Sequence, residues 1–431
     1  MRRPQTIVLV AAAFASALVA AAAATGSAAT STPWSRISGP TAPGAQLGLA
    51  RTPDGVLHVI WNRGTSSTSI FETRLSSAGT RVGTSTVASG WNGNGGLALV
   101  VLRDRTLQLF AVGTGGINTF TAPSGGRSWS RGAAAWGGPV AESAGVIGAT
   151  LTKDGQPVTA WRGNAAEGVP PGSIPPNGYE GGMTESFLAT DTATGAVVLS
   201  GATNAGQGGV YVQKILPGAG PRVVLPPLAK DWSNSLSSRI GAPGVYVAYT
   251  DGKSVRLYRY GGASRTLARG PYLSAGVCPA PGGRLWVAWG DATDGLYVTR
   301  TSRSAGALEP VQKLKLPPST NGMAFLQCEG SAGPIDLFAD LTTGTAVGFW
   351  HTHVLARLTV HASVARTKAG AKVTISVRDA GDPVAAASVT VAGRHLKTGS
   401  GGIVTVLLRP GSYSASTTAP GYAPDSSSFH V

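Results

Sequence analysis

Acidic side chains are scarce in this chain: Asp and Glu together number 20 among 431 residues, which leaves few carboxylates for hydrolytic chemistry. Cysteine is scarcer still, with two residues, and no histidine or acid stands near either at ligand spacing. No Gly-rich segment follows a strand and opens a helix, so a phosphate-cradling loop is absent. No Gly-x-Ser-x-Gly elbow occurs. Charged residues make up only 13%, about half the usual share, and the helix formers Glu and Lys are few. No cofactor and no metal are expected.

What is abundant points to strands and turns. Glycine supplies 61 residues and proline 28, and 42% of the chain is hydrophobic, enough for more than one core at this length. The formal net charge is +15, yet the basic residues are scattered, with no basic run and no aromatic-plus-basic strand pattern. That pattern predicts a solvated basic surface, compatible with anionic cell-wall polymers, and no nucleic-acid site.

The first 29 residues have the three parts of a secretory leader. Arg2 and Arg3 are followed by an Ala-rich apolar stretch, Ile7 to Ala24, and then by small residues. An uncleaved anchor is the competing reading, since the stretch is near the spanning minimum. Its Ala-rich character favours cleavage. No Cys follows for lipid attachment, and no second apolar span occurs. The mature chain is expected to be secreted, extracellular, monomeric and without stable membrane insertion.

The middle of the chain repeats. Leu49 to Trp61, Leu99 to Phe110 and Ala149 to Trp161 each read as an apolar strand, a tight turn and a second apolar strand. The turn residues Asp54, Asp104 and Asp154 recur every 50 residues. Looser copies turn near Gly195, at Pro243-Gly244, at Gly282-Gly283 and at Gly333-Pro334. Most hairpins are followed by a more exposed alternating stretch, such as Ser69 to Leu75 or Gly295 to Thr301, the period-2 mark of a half-buried strand. Seven copies at a period of roughly 40 to 50 residues predict a β-propeller over 30–355, with six or eight blades the neighbouring counts. A chain of sandwiches would need about twice that period.

Ala122-Pro123-Ser124-Gly125-Gly126-Arg127-Ser128-Trp129 resembles the Asp-box turn of sialidase-like propellers: Gly126 and Trp129 match, Ser128 stands in for Thr, and Ser124 replaces the defining Asp. A sialidase-like enzyme needs arginines for a carboxylate, a tyrosine nucleophile and a glutamate. Arg239, Tyr246 and Glu185 are the residues that such a glycoside hydrolase would use. Glu180 and Glu185, which flank Gly181 to Thr184, are the best acid pair in the chain, and solvated loop residues are their bland alternative. They adjoin a Pro/Gly-rich stretch, 164–183, that interrupts the third repeat and reads either as a binding loop or as a degraded outer strand pair.

Cys278 and Cys328 occupy the same place in consecutive repeats, so they should meet near the ring axis and pair in an oxidising compartment. Two buried free thiols are the alternative. His351 and His353 alternate on one strand and share a face, without an evident third ligand. Trp61, Trp161, Trp286, Trp289 and Trp350 end strands, where packing between blades competes with presentation to a sugar.

From about Ala356 tryptophan disappears and Val and Thr alternate, predicting a β-sandwich over 356–431 with strands at Leu358–Ser363, Lys372–Val377, Ser388–Ala392, Ile403–Leu408 and Tyr413–Ser416. Ala387-Ser388-Val389-Thr390-Val391, Pro410-Gly411-Ser412-Tyr413 and Ala419-Pro420-Gly421-Tyr422 resemble carboxypeptidase-regulatory-like and bacterial Ig-like modules. The resemblance implies a spacer or adhesion unit. The functional expectation is therefore a secreted recognition protein that binds a glycan or an extracellular protein at the ring mouth, without catalysis. A sialidase-like glycoside hydrolase is the alternative.

Overall fold

The computed structural model describes residues 31–41, 46–63, 67–93, 96–113, 116–136, 147–161, 164–166, 183–203, 209–225, 233–367 and 370–431. The expected leader, Glu180 and most of the Pro/Gly-rich stretch lie outside the described residues. Among those described there is no helix, and hence none long and apolar enough to cross a membrane.

The repeats fold as antiparallel sheets in sequence order, seven of them among the described residues. Blade 1 holds Gly48–Arg51, Leu57–Asn62, Ser67–Leu75 and Arg81–Gly93. Blade 2 holds Leu97–Val101, Leu107–Gly113, Gly116–Ala122 and Ser130–Trp136. Blade 3 has three described strands, Gly148–Leu151, Pro157–Trp161 and Asn164–Ala166. Blade 4 runs through Met183–Thr190, Val197–Thr203, Gly209–Leu216 and Val223–Val224. Blade 5 is Asn234–Ser238, Val245–Thr250, Ser254–Arg259 and Ser264–Arg269. Blade 6 is Ser274–Ala280, Arg284–Asp291, Gly295–Arg300 and Gln312–Leu314.

Blade 7 is built from both ends of the ring. Thr320–Glu329, Ile335–Thr343 and Ala346–Val354 supply three strands, and Ser35–Arg36 supplies the outermost. Ser35 pairs with His351 and Arg36 with Trp350, so the start of the described chain latches its last blade. Arg36 Nη2 donates to Val347 O at 2.8 Å, and Arg81 Nη2 of blade 1 donates to Ile37 O at 2.9 Å. Each blade's first strand lies against that of the next, and Thr320–Glu329 returns to Gly48–Arg51. The circle is closed, and the all-β propeller architecture follows from that closure together with the four-stranded sheets.

Packing between blades explains why the circle forms. The second strands are apolar on both faces: all residues of Leu57–Asn62, Val245–Thr250 and Arg284–Asp291 are buried. A sheet buried on both faces cannot stand alone and must be flanked. Trp286, Trp289, Phe110, Phe338 and Phe349 are wholly buried between blades, each contributing about 2 kcal/mol of transfer free energy. Trp61 stacks on Phe71 with centroids 4.6 Å apart. Packing is thus the role of Trp61, Trp286 and Trp289; the side chain of Trp161 lies outside the described ones.

The C-terminal residues make two facing sheets. One joins Thr359–Thr367, Gly370–Asp379, Asp382–Pro383 and Ile403–Leu408; the other joins Arg394–Lys397, Ser388–Val391, Ser412–Thr418 and Asp425–His430. Gly370–Asp379 alternates buried and half-exposed residues along its length. Val373, Ile375, Val377, Val389, Val391 and Ala415 fill the space between the sheets. The strands at Arg394–Lys397 and Asp425–His430 have mostly polar sequences and no apolar alternation, which is why the sequence pattern missed them.

Candidate functional site: the axial mouth

The ends of the inner strands and the turns that follow them surround a cavity of about 630 Å³ on the ring axis. Every blade contributes to its wall. Arg51, Arg103, Lys153 and Glu329 supply its charged side chains, beside threonine and serine hydroxyls, above a floor of Leu99, Val101 and Leu151. A narrower space of about 160 Å³ continues along the axis between the inner strands.

The turns that form the rim are built by local hydrogen bonds. Asp54 Oδ1 accepts from Thr52 Oγ1 at 2.6 Å and from Val56 N at 3.3 Å; Asp104 Oδ1 accepts from Thr106 N at 2.9 Å. These bonds to the charged carboxylate hold both acids below their usual range. The residue after each aspartate takes a positive φ, at Gly55, Arg105 and Gly155. Turn geometry thus accounts for the 50-residue recurrence of Asp.

Each turn then grips the next blade. Arg103 Nη2 donates to Lys153 O at 2.6 Å, and its side chain lies across Gly155, where an added Cβ would fall 2.6 Å from Arg103 Cδ. Lys153 lies over Gly195 in the same way, with Cδ 3.3 Å from the corresponding position. Thr190 Oγ1 donates to Leu151 O at 2.5 Å, Gly244 N donates to Asp191 Oδ2 at 3.0 Å, and Trp286 Nε1 donates to Gly333 O at 2.8 Å. Deeper on the axis, polar side chains make paired bonds to a neighbour's backbone. Gln327 accepts from Leu47 N at 2.9 Å and donates to Leu47 O at 3.2 Å. Ser235 does the same at Val277, while Gln46 bridges Leu97 and Ile147. Cys278 and Cys328 are bonded as expected, joining the inner strands of blades 6 and 7 with Cα atoms 5.7 Å apart.

At the closure of the ring a buried ion cluster lies behind the mouth. Arg51 Nε meets Glu329 Oε2 at 2.6 Å, and Arg51 Nη2 meets Asp336 Oδ2. His351 Nε2 and His353 Nδ1 both reach Asp336 Oδ1, at 2.8 and 2.9 Å. Burial opposes the charge on Asp336, but the two histidine hydrogen bonds outweigh it and bring its pKa down to about 2. The shared face of His351 and His353 is thereby spent on a carboxylate. Among the described residues no group of three or more His, Cys, Asp or Glu could hold a metal ion.

A second dyad lies between blades 1 and 2. His58 Nδ1 and Glu72 Oε1, both fully buried, are 2.6 Å apart, and Glu72 Oε2 accepts from Ser85 Oγ at 2.8 Å and Trp129 Nε1 at 3.4 Å. The Asp-box-like turn supplies Trp129, and Gly126 at φ +65° lies so close to Glu72 and His58 that a Cβ would collide with both. This turn is therefore a seal over the dyad.

The residues singled out as a candidate site are not brought together in the described side chains. Arg239 is buried and spans blades 5 and 6: Nε donates to Gly283 O at 2.6 Å, Nη1 to Pro243 O at 3.0 Å, and Nη2 to Arg303 O. Tyr246 is buried in the apolar layer between the same blades. Glu185 pairs through its backbone with Ala202 on blade 4, and its side chain lies outside the described ones, as does all of Glu180. Of the residues that do build the mouth, Arg103 and Lys153 carry one visible signal, their shared offset of one residue from the turn aspartates; Arg51 and Glu329 sit at strand ends and share no such offset.

The sandwich is anchored beside this mouth, on the turn side of blade 6. Arg284 Nε and Arg300 Nη2 converge on Asp379 Oδ2 at 3.0 and 2.7 Å, and Tyr422 Oη donates to the same oxygen at 2.8 Å. Asp382 takes Arg284 Nη2 at 2.8 Å and Arg303 N at 2.7 Å. The Arg300 guanidinium also lies 5.2 Å from the Trp286 ring centre and 5.0 Å from that of Tyr422. Beneath the connection Glu309 Oε2 accepts from Arg357 N at 3.2 Å, and burial pushes its carboxyl up to about 8 despite Arg300.

Propeller is thus the class that the closed ring defines. No protein-family model matches the chain, and no curated protein is significantly similar to it. Among solved structures it is similar to a catalytically inactive virginiamycin B lyase from Staphylococcus aureus, solved with quinupristin: 10% identity, 75% of this chain and 99% of that one covered, TM-score 0.47. It is also similar to the BP39L lectin from Burkholderia pseudomallei, at 17% identity, 72% and 96% coverage and TM-score 0.47. The fucose-specific lectin from Aleuria aurantia is 13% identical, with 72% and 93% coverage and TM-score 0.44.

Proposed function

We propose that the protein is an exported recognition protein whose ring, 30–355, holds a glycan or an extracellular protein at the axial mouth, and whose sandwich, 356–431, stands as a fixed module beside it. Residues 1–29 are its cleaved leader in this reading. The observation that carries the reading is the composition of the cavity of about 630 Å³: among the described lining residues it has hydroxyls, three cations (Arg51, Arg103 and Lys153) and one carboxylate, Glu329, already held by Arg51. Glycoside hydrolysis commonly needs two carboxylates with separate roles. A concave surface of apolar floor and hydroxyl-bearing rim suits binding. The bonded cysteine pair fits an oxidising compartment.

Glycan-array and extracellular-protein pull-down screens of the purified chain test it. Retention of a saccharide or protein, reduced by Thr192→Trp at the rim, is the expected result. Silence across both screens, or turnover of fluorogenic glycosides, overturns it.

A further inference from the structure

We propose that the arc of the mouth between blades 2 and 3 is an oxyanion site, and that the ligand is an acidic polysaccharide whose carboxylate or phosphodiester groups contact Arg103 and Lys153. The inference rests on the recognition role of the mouth given above and specifies its ligand.

Arg103 and Lys153 stand at the same offset from their turn aspartates, 50 residues apart, so the ring places both at the cavity rim. The equivalent position is Pro53 in blade 1 and Thr192 in blade 4, neither charged. Both cations are exposed at their sides and held from below. Arg103 is fixed by its bond to Lys153 O and by the glycine beneath it; Lys153 rests on Gly195. Two like charges on adjacent turns repel, and among the described residues neither has a carboxylate within salt-bridge distance. The turn acids do not compensate from within the cavity: Asp104 and Asp154 are outside its lining, and Asp104 is folded back onto Thr106 N.

Arg51, at the end of the first strand of the neighbouring blade 1, shows what a neutralised cation looks like here, clamped between Glu329 and Asp336. On the next two blades the same charge is left open. A preorganised guanidinium suits a planar or tetrahedral oxyanion, and an ammonium beside it adds a point charge. Thr150, Thr152, Thr192 and Ser331 offer hydroxyls to sugar oxygens. Among the described residues no aromatic ring lines the cavity, and these offer no stacking platform of the kind a single-strand nucleic-acid site uses.

The test is isothermal titration of the full chain with polygalacturonate, a phosphodiester-bearing phosphomannan, dextran and single-stranded DNA. Binding to at least one acidic polysaccharide above dextran and DNA is expected, falling as salt rises. Arg103→Gln/Lys153→Gln should weaken it about tenfold or more. Arg394→Gln/Lys397→Gln, the same charge change on exposed residues of the sandwich, should leave it unchanged. Which acidic polymer binds separates carboxylate from phosphodiester. Equal loss in both variants, or DNA bound as well as the best polymer, reduces the effect to net charge and overturns the site. Dextran bound as well as the acidic polymers overturns the inference while leaving recognition at the mouth intact; no binding of any saccharide or protein removes both. Wild-type binding insensitive to salt overturns it without recourse to variants.

Discussion

Two buried acids in this molecule, Asp336 at the closure of the ring and Glu309 under the sandwich, shift in opposite directions. Both are almost wholly inaccessible, both lie near arginines, and both pay the same kind of desolvation penalty. Asp336 receives direct donors on both oxygens, from His351 and His353 on one and Arg51 on the other, and stays charged down to about pH 2. Glu309 is close to Arg300, but that guanidinium is aimed at Asp379, whose charge also repels Glu309. Among the described residues its Oε1 has no donor, and its pKa rises to about 8. Burial and a nearby cation are therefore insufficient to keep an acid ionised; donors must point at its oxygens.

The largest effect is expected at Asp379, the carboxylate that draws Arg300 away from Glu309. Asp379→Ala strips two guanidiniums and the Tyr422 hydroxyl of their shared acceptor. A loss of about 3–5 kcal/mol is expected, measured by denaturant unfolding. The sandwich should then melt separately from the ring; a single unshifted transition would show that Asp379 does not join them.

Asp336→Asn keeps an oxygen but removes the charge, and should cost about 3 kcal/mol at neutral pH. In the wild type, stability from Asp336 is present above 3.8 and lost as pH falls toward 2, because its folded pKa is depressed. That acid limb should flatten in the variant, read from thermal midpoints across the window. The paired change Cys278→Ser/Cys328→Ser, touching neither cluster's charge, should cost about 2–3 kcal/mol and calibrate the scale.

Glu309→Gln is the smallest change and has the opposite sign. The folded pKa is raised, so the stability of the wild type is complete below 4.5 and declines as pH rises to about 8. Variant and wild type should melt together near pH 4 and diverge above it, the variant higher. A variant that melts lower at neutral pH would mean that Glu309 is ionised and paired with Arg300.

How much of this was legible beforehand depends on the range of each interaction. The hairpin turns at Asp54, Asp104 and Asp154 were legible because a turn is set by its own residues, and their carboxylates do bond within their own turns where those bonds are described. The cysteine pair was legible because repeat position is a proxy for distance from the axis. Arg239 and Tyr246 were not: as residue types they suit a sugar acid, yet one is tied to three carbonyls and the other packed between sheets. The latch at Ser35–Arg36 left no trace either, since two polar residues carry no periodic signal and their partners lie more than 300 positions away.

The amino-acid sequence by itself determined the units: strands alternating or wholly apolar, turns that tolerate positive φ, and a change of texture near Ala356. Those properties are local, and each unit carries them whatever its neighbours do. Tertiary structure alone decided which strand closes the last blade, which cations along the mouth are neutralised, and which buried acid keeps its proton. Each of these depends on groups brought together only when the ring shuts, and the field at a buried charge is set by those groups rather than by neighbours along the chain.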